Sequence, residues 1–478
     1  MAGPGGSGQG LARRAVRYGS MPLIALAATT ALESGERQSL SQAIDGIQHQ
    51  FHVSDSWAGA LPFAMALIGV VGALPFGMLA DRTRRTLVLA GAVGMWTLVM
   101  GLNGLAATTF ALLFVFRLGV GVVEANGPAA VSLLSDYYPV AERAKRMGLY
   151  LSGALIGAIV GLVGGGIAVT YGGWKWAFLM WVPVGVVVAV VVARQPEPRR
   201  GDQDADFHGD LTLTAGAGEI AEFAAVASLL PPPRREGTLD YSCCTVREVG
   251  RELLRIPTMW FGVIAVTISQ LLLNGLQFWA VPYYKRVHHL SATKAGAITA
   301  AFGLGAAVGI IAGGFFADRL LRAGKVNARV YVVAFGSIGA SLLLFPGFAS
   351  TNLALSGSLM VIGGFLLTVP IAPAEALMTD VVVAQLRGRA SSVRSVVRSL
   401  SSVGPFAIGG LSALLMSSGL SHADSLRFAL VAFTPLYAVG GLVMLLAART
   451  YGSDVAFVVA ESRRHPDTAT PSMPAPVA

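Results

Sequence analysis

Charged residues are scarce in this chain. Asp, Glu, Lys and Arg make up 13% of its 478 residues, against roughly 25% in a soluble domain, which excludes an ordinary solvated globular surface. Cysteine is almost missing: the two present, Cys243 and Cys244, are adjacent. They have neither the separation of a disulfide framework nor metal-ligand spacing, and read as reduced thiols. No phosphate-cradling P-loop occurs, and no nucleophile is paired with a base. His52, His288, His289 and His422 show no ligand pattern, so neither an enzyme nor a metal or cofactor site is expected. The formal net charge of +9 comes without any aromatic-interleaved basic module, which argues against a nucleic-acid partner.

What is abundant is apolar. Hydrophobic residues make up 54% of the chain and its mean hydropathy is +0.64. Runs of roughly 20 apolar residues suffice to cross a bilayer. About twelve such spans are expected, starting near Met21, Trp57, Thr86, Thr109, Met147, Trp174, Thr258, Thr293, Ala328, Asn352, Ala390 and Asp424. Basic residues collect at the N-terminus (Arg13, Arg14, Arg17) and in alternate loops, including the Asp81 to Arg85 and Asp318 to Lys325 turns. The bias places both termini in the cytoplasm and the chain in the cell membrane. One loop dissents, with Lys285, Arg286 and Lys294 on the outer side.

Hydropathy collapses between Val192 and Pro257, where RQPEPRRGDQDAD and PPPRREG occur. This is expected to be a long cytoplasmic connection, either a tether or a regulatory segment, with surface helices over Leu211 to Leu230 and Val246 to Arg255. The chain therefore divides into a tail (1–20), a six-helix bundle (21–194), the central loop (195–257), a second six-helix bundle (258–449) and a C-terminal tail (450–478). The bundles repeat each other. Gly77-Met-Leu-Ala-Asp81-Arg82 recurs 237 residues later as Gly314-Phe-Phe-Ala-Asp318-Arg319, and Asp136 with Arg143 recurs 244 residues later as Asp380 with Arg387. Duplicated bundles suit a carrier that rocks about a site held between them. The acidic and basic turns read as gates: Asp81 accepts from helix amides or pairs with Arg143 or Arg146, while Arg82, Arg84 and Arg85 hold the loop at the headgroups.

Ionisable residues inside apolar spans are costly and mark function. The run FRLGVGVVEANGPAAVSLLSD places Arg117 and Glu124 seven residues apart, on about one helical face. In the first span Glu33 and Arg37 have the favoured i, i+4 order, and Glu36 can reach a neighbouring helix. Softer signals are Gln270, Asn274 and Gln277 on one face of the seventh span, followed by Trp279, Tyr283 and Tyr284. These either line a cavity or join helices. Gly153, Gly157 and Gly161 permit close approach of the fifth helix to a partner, and Pro370 and Pro373 break the tenth.

The turn residues Gly77, Asp81, Arg82 and Arg85 match a motif of the major facilitator superfamily, which the chain resembles from about Arg17 to Arg449. Within it, GMLADRTRR, RLGVGVVEANGPAAVSLLSDYYPVAER, FWAVPYYKRVHHLSATKAG and GGFFADRL resemble the Spinster family. The resemblance implies that Glu36, Arg37 and Glu124 take part in proton coupling. It fails in the eleventh span, where a Gly-Asp pair of the family is replaced by RSVVRSLSSVGPFAIGG. Its Arg394 and Arg398 either bind an anionic headgroup or snorkel to the interface.

The expectation is thus an all-α protein of twelve transmembrane helices in two pseudo-symmetric six-helix bundles. It is expected to work as a monomeric secondary transporter of an amphipathic or lipid-like small molecule, with protons and membrane lipids as partners. Proton coupling falls to Glu36, Glu124 and Glu33. Substrate binding falls to Arg37, Arg117, Gln270, Asn274, Gln277 and Trp279. Gating falls to Asp81, Arg82, Arg85, Asp136, Arg143, Asp318, Arg319, Asp380 and Arg387. Drug or secondary-metabolite efflux is the alternative within transport, and a membrane sensor or scaffold signalling through the central loop is the alternative outside it.

Overall fold

The computed structural model describes residues 18–124, 127–138, 140–198, 230–234, 246–383 and 386–464. Cys243, Cys244 and most of the central connection lie outside these, as do the side chains of Asp81, Glu124 and Arg143. Every regular element among the described residues is a helix. Local chemistry sets several of the starts. α10 (Pro257–Val287) opens on a proline, whose missing N–H costs nothing in a first turn. The Ser291 hydroxyl caps α11 (Ala292–Arg322) by accepting from the Lys294 amide, and the Asn352 carbonyl oxygen caps α13 (Leu353–Thr368) by accepting from Ala354 and Leu355. The tenth span is broken as expected: α13 stops, and α14 (Ile371–Asp380) restarts beyond Pro370.

Nine helical segments among the described residues are long and apolar enough to cross a membrane. α1 (Met21–Phe51) has 31 residues, ample length, but carries Glu33, Glu36, Arg37 and Asp45 and so falls short on apolarity. Large apolar side chains face outward, such as Ile156 at 60% and Ile311 at 75% exposure. In water such a surface would aggregate, whereas against lipid it costs nothing.

Two compact units result: residues 1–53 with 64–210, and residues 54–63 with 211–478. The division differs from the sequence expectation at the second helix, among other places. The first turns of α2 (Asp55–Arg82) belong to the second unit, because Gly59 lies tight against Pro405 and Asp55 is bonded there. The expected C-terminal tail also holds structure: α19 (Tyr451–Arg464) buries Tyr451, Val455 and Phe457 in the second unit's core, beside Val249 and Leu253 of α9 (Val246–Leu254).

In the first unit the fifth expected span, α6 (Val140–Gly172), lies along α1. A Cβ placed on Gly157 would sit 2.0 Å from the Ala31 carbonyl oxygen, and Gly153 and Gly161 meet Ala27 and Gly35 in the same way. Backbones this close leave no room for any side chain at those positions. The second unit repeats the device where α10 meets α16 (Gly404–Ser417), since a Cβ on Gly404 would lie 2.0 Å from the Leu271 carbonyl. Gly157→Leu should therefore force α1 and α6 apart at a cost of about 1–3 kcal/mol or more. Thermal unfolding of the purified protein would show this as a lowered Tm, while the same change at Gly91, which has nothing within 4 Å of its built Cβ, should leave Tm nearly unchanged.

Candidate functional site

The glycine contacts fix the part of α1 that carries its charges. Around Glu36 the chain is held on several sides. Trp181, the first residue of α8 (Trp181–Ala193), fills the space beside Gly35, and its Nε1–H donates to Ser39 Oγ at 3.0 Å. Gln42 Nε2 donates to the Leu162 carbonyl at 2.7 Å. Glu36 is 0% exposed and ion-paired with Arg117 of α4 (Phe110–Glu124), itself 1% exposed. Arg117 also reaches the Met65 sulfur at 3.1 Å and lies 5.7 Å from the centroid of the Phe178 ring.

The sequence expectations for this unit are thereby redistributed. Arg117 holds a carboxylate across 81 positions of chain. Arg37 is exposed and Glu33 half-buried. Glu124 ends α4, two turns beyond Arg117.

A second charged group joins α3 (Arg85–Leu105), α5 (Gly127–Tyr137) and the segment after α8. Arg85 was expected among headgroups, yet it is 3% exposed. Its guanidinium pairs with Asp136, donates to Glu197 at 3.0 Å and Ser132 at 2.8 Å, and reaches the Pro198 carbonyl at 3.1 Å. Glu197 also accepts from the Thr86 amide at 2.9 Å and hydroxyl at 2.7 Å. Burial raises the pKa of Glu197, but the two Thr86 bonds and the Arg85 charge outweigh it and hold the carboxyl below its usual range. It therefore stays ionised through neutral pH; the stability it contributes is lost only as pH falls through that lowered value.

The second unit repeats this arrangement. Arg329, at the start of α12 (Ala328–Ala349), pairs with Asp380 and lies 3.6 Å from Asp318. The third partner has changed: the Tyr451 hydroxyl donates to Asp380 at 2.6 Å, and burial pushes that phenol well above its ordinary pKa. Arg329 follows Arg85 by the same 244 residues that separate Asp380 from Asp136. Arg82 and Arg319 are exposed, and Arg387 is half-buried at the start of α15 (Arg387–Arg398).

The polar face of α10 divides. Gln270 lines a small cleft together with Ser269 and Glu375. Asn274 donates to the Ser401 carbonyl at 3.3 Å and so joins helices. Trp279 was expected at substrate but is 0% exposed, with its Nε1–H donated to the Pro405 carbonyl at 2.8 Å. Gln277 is exposed. Tyr283 is likewise taken up in packing, donating to the Phe348 carbonyl at 3.1 Å.

Sequence reasoning missed Glu197, Arg329, Tyr451 and Glu375, which pairs with Arg398. It also missed Asp55, whose carboxylate accepts from Arg286 at 3.0 Å and Ser412 at 2.6 Å and lies 3.2 Å from His422. The repeat offset could have found Arg329. Intramembrane acidity could have found Glu375.

Two repeated helical units, apolar outside and carrying charges in their interiors, define a membrane carrier rather than an enzyme. The Major Facilitator Superfamily model matches residues 26–405, and the chain belongs to that superfamily. It is similar to Protein spinster homolog 1 of Xenopus tropicalis, 23% identical over 442 residues, 86% of this chain and 77% of that protein. It is 27% identical over 176 residues to the sphingosine-1-phosphate transporter SPNS2 of Danio rerio, covering 35% of this chain and 34% of the relative. Its fold matches a bacterial homologue of the human lysosomal transporter Spinster with a TM-score of 0.74 and 22% identity, over 92% of this chain and 98% of that one.

A buried ion pair loses its rationale when one partner goes. Arg117→Met should destabilise the first unit by about 3–5 kcal/mol, because Glu36 is left charged and dry. Adding Glu36→Gln should return more than half of the loss. Tryptophan-fluorescence melting of both variants gives the coupling, and additive losses would show that the two side chains do not act as a pair.

Proposed function

We propose that the protein is a proton-coupled secondary transporter that moves an amphipathic or lipid-like small molecule by alternating access, with both termini in the cytoplasm of a cell-membrane protein. The observation that carries the reading is the fully buried Glu36–Arg117 pair. An isolated carboxylate in such a place takes up a proton near neutrality, while a guanidinium in contact opposes it. A motion that changes the Glu36–Arg117 separation therefore changes proton affinity, which is what coupling requires. Glu124, two turns along the same helix, is the second proton site, and Glu33 provides a further carboxylate on α1. The cargo of the SPNS2 relative, an anionic amphiphile, is consistent with the substrate class.

The Arg85 and Arg329 networks serve as the gates. Each ties the start of one helix to the end of another through charge-assisted bonds, and these must loosen if the helices separate. Asp81, Arg82, Arg143, Asp318, Arg319 and Arg387 flank them in sequence and belong to the same gating function.

Proteoliposomes with an imposed pH gradient test the coupling, using sphingosine-1-phosphate as the first candidate cargo. Glu36→Gln and Glu124→Gln should each abolish gradient-driven accumulation while retaining passive exchange, because glutamine keeps the shape but cannot ionise. Unchanged gradient dependence in both variants would leave a uniporter, or coupling to another ion.

Topology is tested separately. Basic residues flank Cys243 and Cys244 on both sides, placing them in the cytoplasm. An impermeant maleimide should label them only after cells are permeabilised; labelling of intact cells would invert the orientation.

A further inference from the structure

Glu375, Arg394 and Arg398 lie inside two segments long and apolar enough to cross a membrane, Leu353–Asp380 and Arg389–Ser417. All three belong to the second unit. Arg394 and Arg398 stand four residues apart on α15, so they share a helical face and are separated by about 6 Å along its axis. One carboxylate serves both: Glu375 of α14 is ion-paired with Arg398 and within electrostatic reach of Arg394.

The two cations are served unequally. The bonded pair is open, with 30% of Arg398 and 40% of Glu375 exposed, and an ion pair so accessible to water is weak. Arg394 is 8% exposed, and its Nε and Nη1 find no hydrogen-bond partner among the described residues. A buried guanidinium short of acceptors is the costlier of the two to leave without a carboxylate. Moving Glu375 to Arg394 would release a cation that water can solvate and satisfy one that water cannot reach. The displacement of one helix along the other opposes that gain. Two arrangements whose free energies are balanced in this way are what a switch requires.

The backbone permits the displacement. α14 is separated from α13 at Pro370, and α15 gives way to a 3-10 turn, Ser399–Val403, before α16. Each charge-bearing segment is therefore short and ends at a break, where changes of dihedral angle concentrate. We infer that Glu375 is a switching carboxylate, holding Arg398 in this arrangement and Arg394 in a second one, with the exchange accompanying a slide of α14 along α15 by about one turn. The inference rests on the alternating-access reading for its role in transport. Exchange itself needs neither cargo nor proton gradient, so failure of proton coupling would leave it untouched.

The test is a triple-mutant cycle read by thermal melting of the full-length protein in a neutral maltoside detergent. R398Q should lower the Tm by only about 2 °C or less, because Arg394 takes over the carboxylate, and R394Q should not lower it. R394Q/R398Q strands Glu375 and should lose more than the sum of the single variants, by about 2–4 °C. Adding E375Q should remove that excess, and R394K/R398Q should melt like R398Q, since lysine keeps the charge. Movement is read separately by fluorine NMR from a trifluoroethylthio label on S395C, an exposed position of α15, in a C243S/C244S background. R398Q should shift the resonance to a new position, and R394Q should keep that of the wild type. Additive losses in R394Q/R398Q, an excess that survives E375Q, or a resonance that R398Q leaves in place would overturn the proposal.

Discussion

Glu36 and Arg117 must hold each other, because neither has water to hold it. Removing a carboxylate and a guanidinium from solvent costs several kcal/mol per ion, and their attraction repays this only in good geometry. Much of the first unit can be understood as the supply of that geometry. Glycines let α6 press on α1 until backbone meets backbone, Trp181 fills the gap beside Gly35, and Gln42 ties α1 to the Leu162 carbonyl. The Met65 sulfur and the Phe178 ring cover the guanidinium. An apolar pair of similar volume would do as well or better for stability alone. A fold that bears this cost at its centre gains something other than stability, and an ionisable pair offers a change of protonation.

The two units share a plan but differ in electrostatics. In each, an arginine at the start of one helix binds an aspartate at or near the end of another, with a constant spacing of 244 residues. The third member differs. Arg85 faces two carboxylates, Asp136 and Glu197, whereas the Arg329–Asp380 pair is completed by a phenol that remains protonated. Among the described partners, Arg85 has two carboxylates within hydrogen-bond reach and Arg329 has one. Asp318, at 3.6 Å from Arg329 and 44% exposed, is a weaker and more screened substitute.

The helices, the duplication and the close approach of α6 were legible because each depends on local pattern: apolar run length, repeated residues, glycine at every fourth position. Charge partners were not. Short-range rules favoured Glu33 with Arg37 on one helix and placed Arg117 with Glu124, but Glu36 and Arg117 meet across 81 positions, a separation no helical period reveals. Arg85 was assigned to headgroups because it sits in a basic turn; its burial depends on Glu197, which arrives from 112 residues away. The discordant outer Arg286 has a physical explanation in Asp55, which neutralises it, so it weighs little in a bias set by exposed charge. The partner of Trp279 was hidden for a related reason: an aromatic next to polar residues suits a cavity and a helix contact equally well, and its bond to the Pro405 carbonyl crosses 126 positions.

Pairing also sorts the buried cations into kinds. Arg85, Arg117, Arg286 and Arg329 are each in contact with a carboxylate. All four pairings join residues distant in sequence and are drawn from different helices or from a helix and a loop, so each ties the fold together. Arg394 is buried to a similar degree, and its Nε and Nη1 have no hydrogen-bond partner among the described residues. The four show that this chain supplies a partner when a guanidinium is structural.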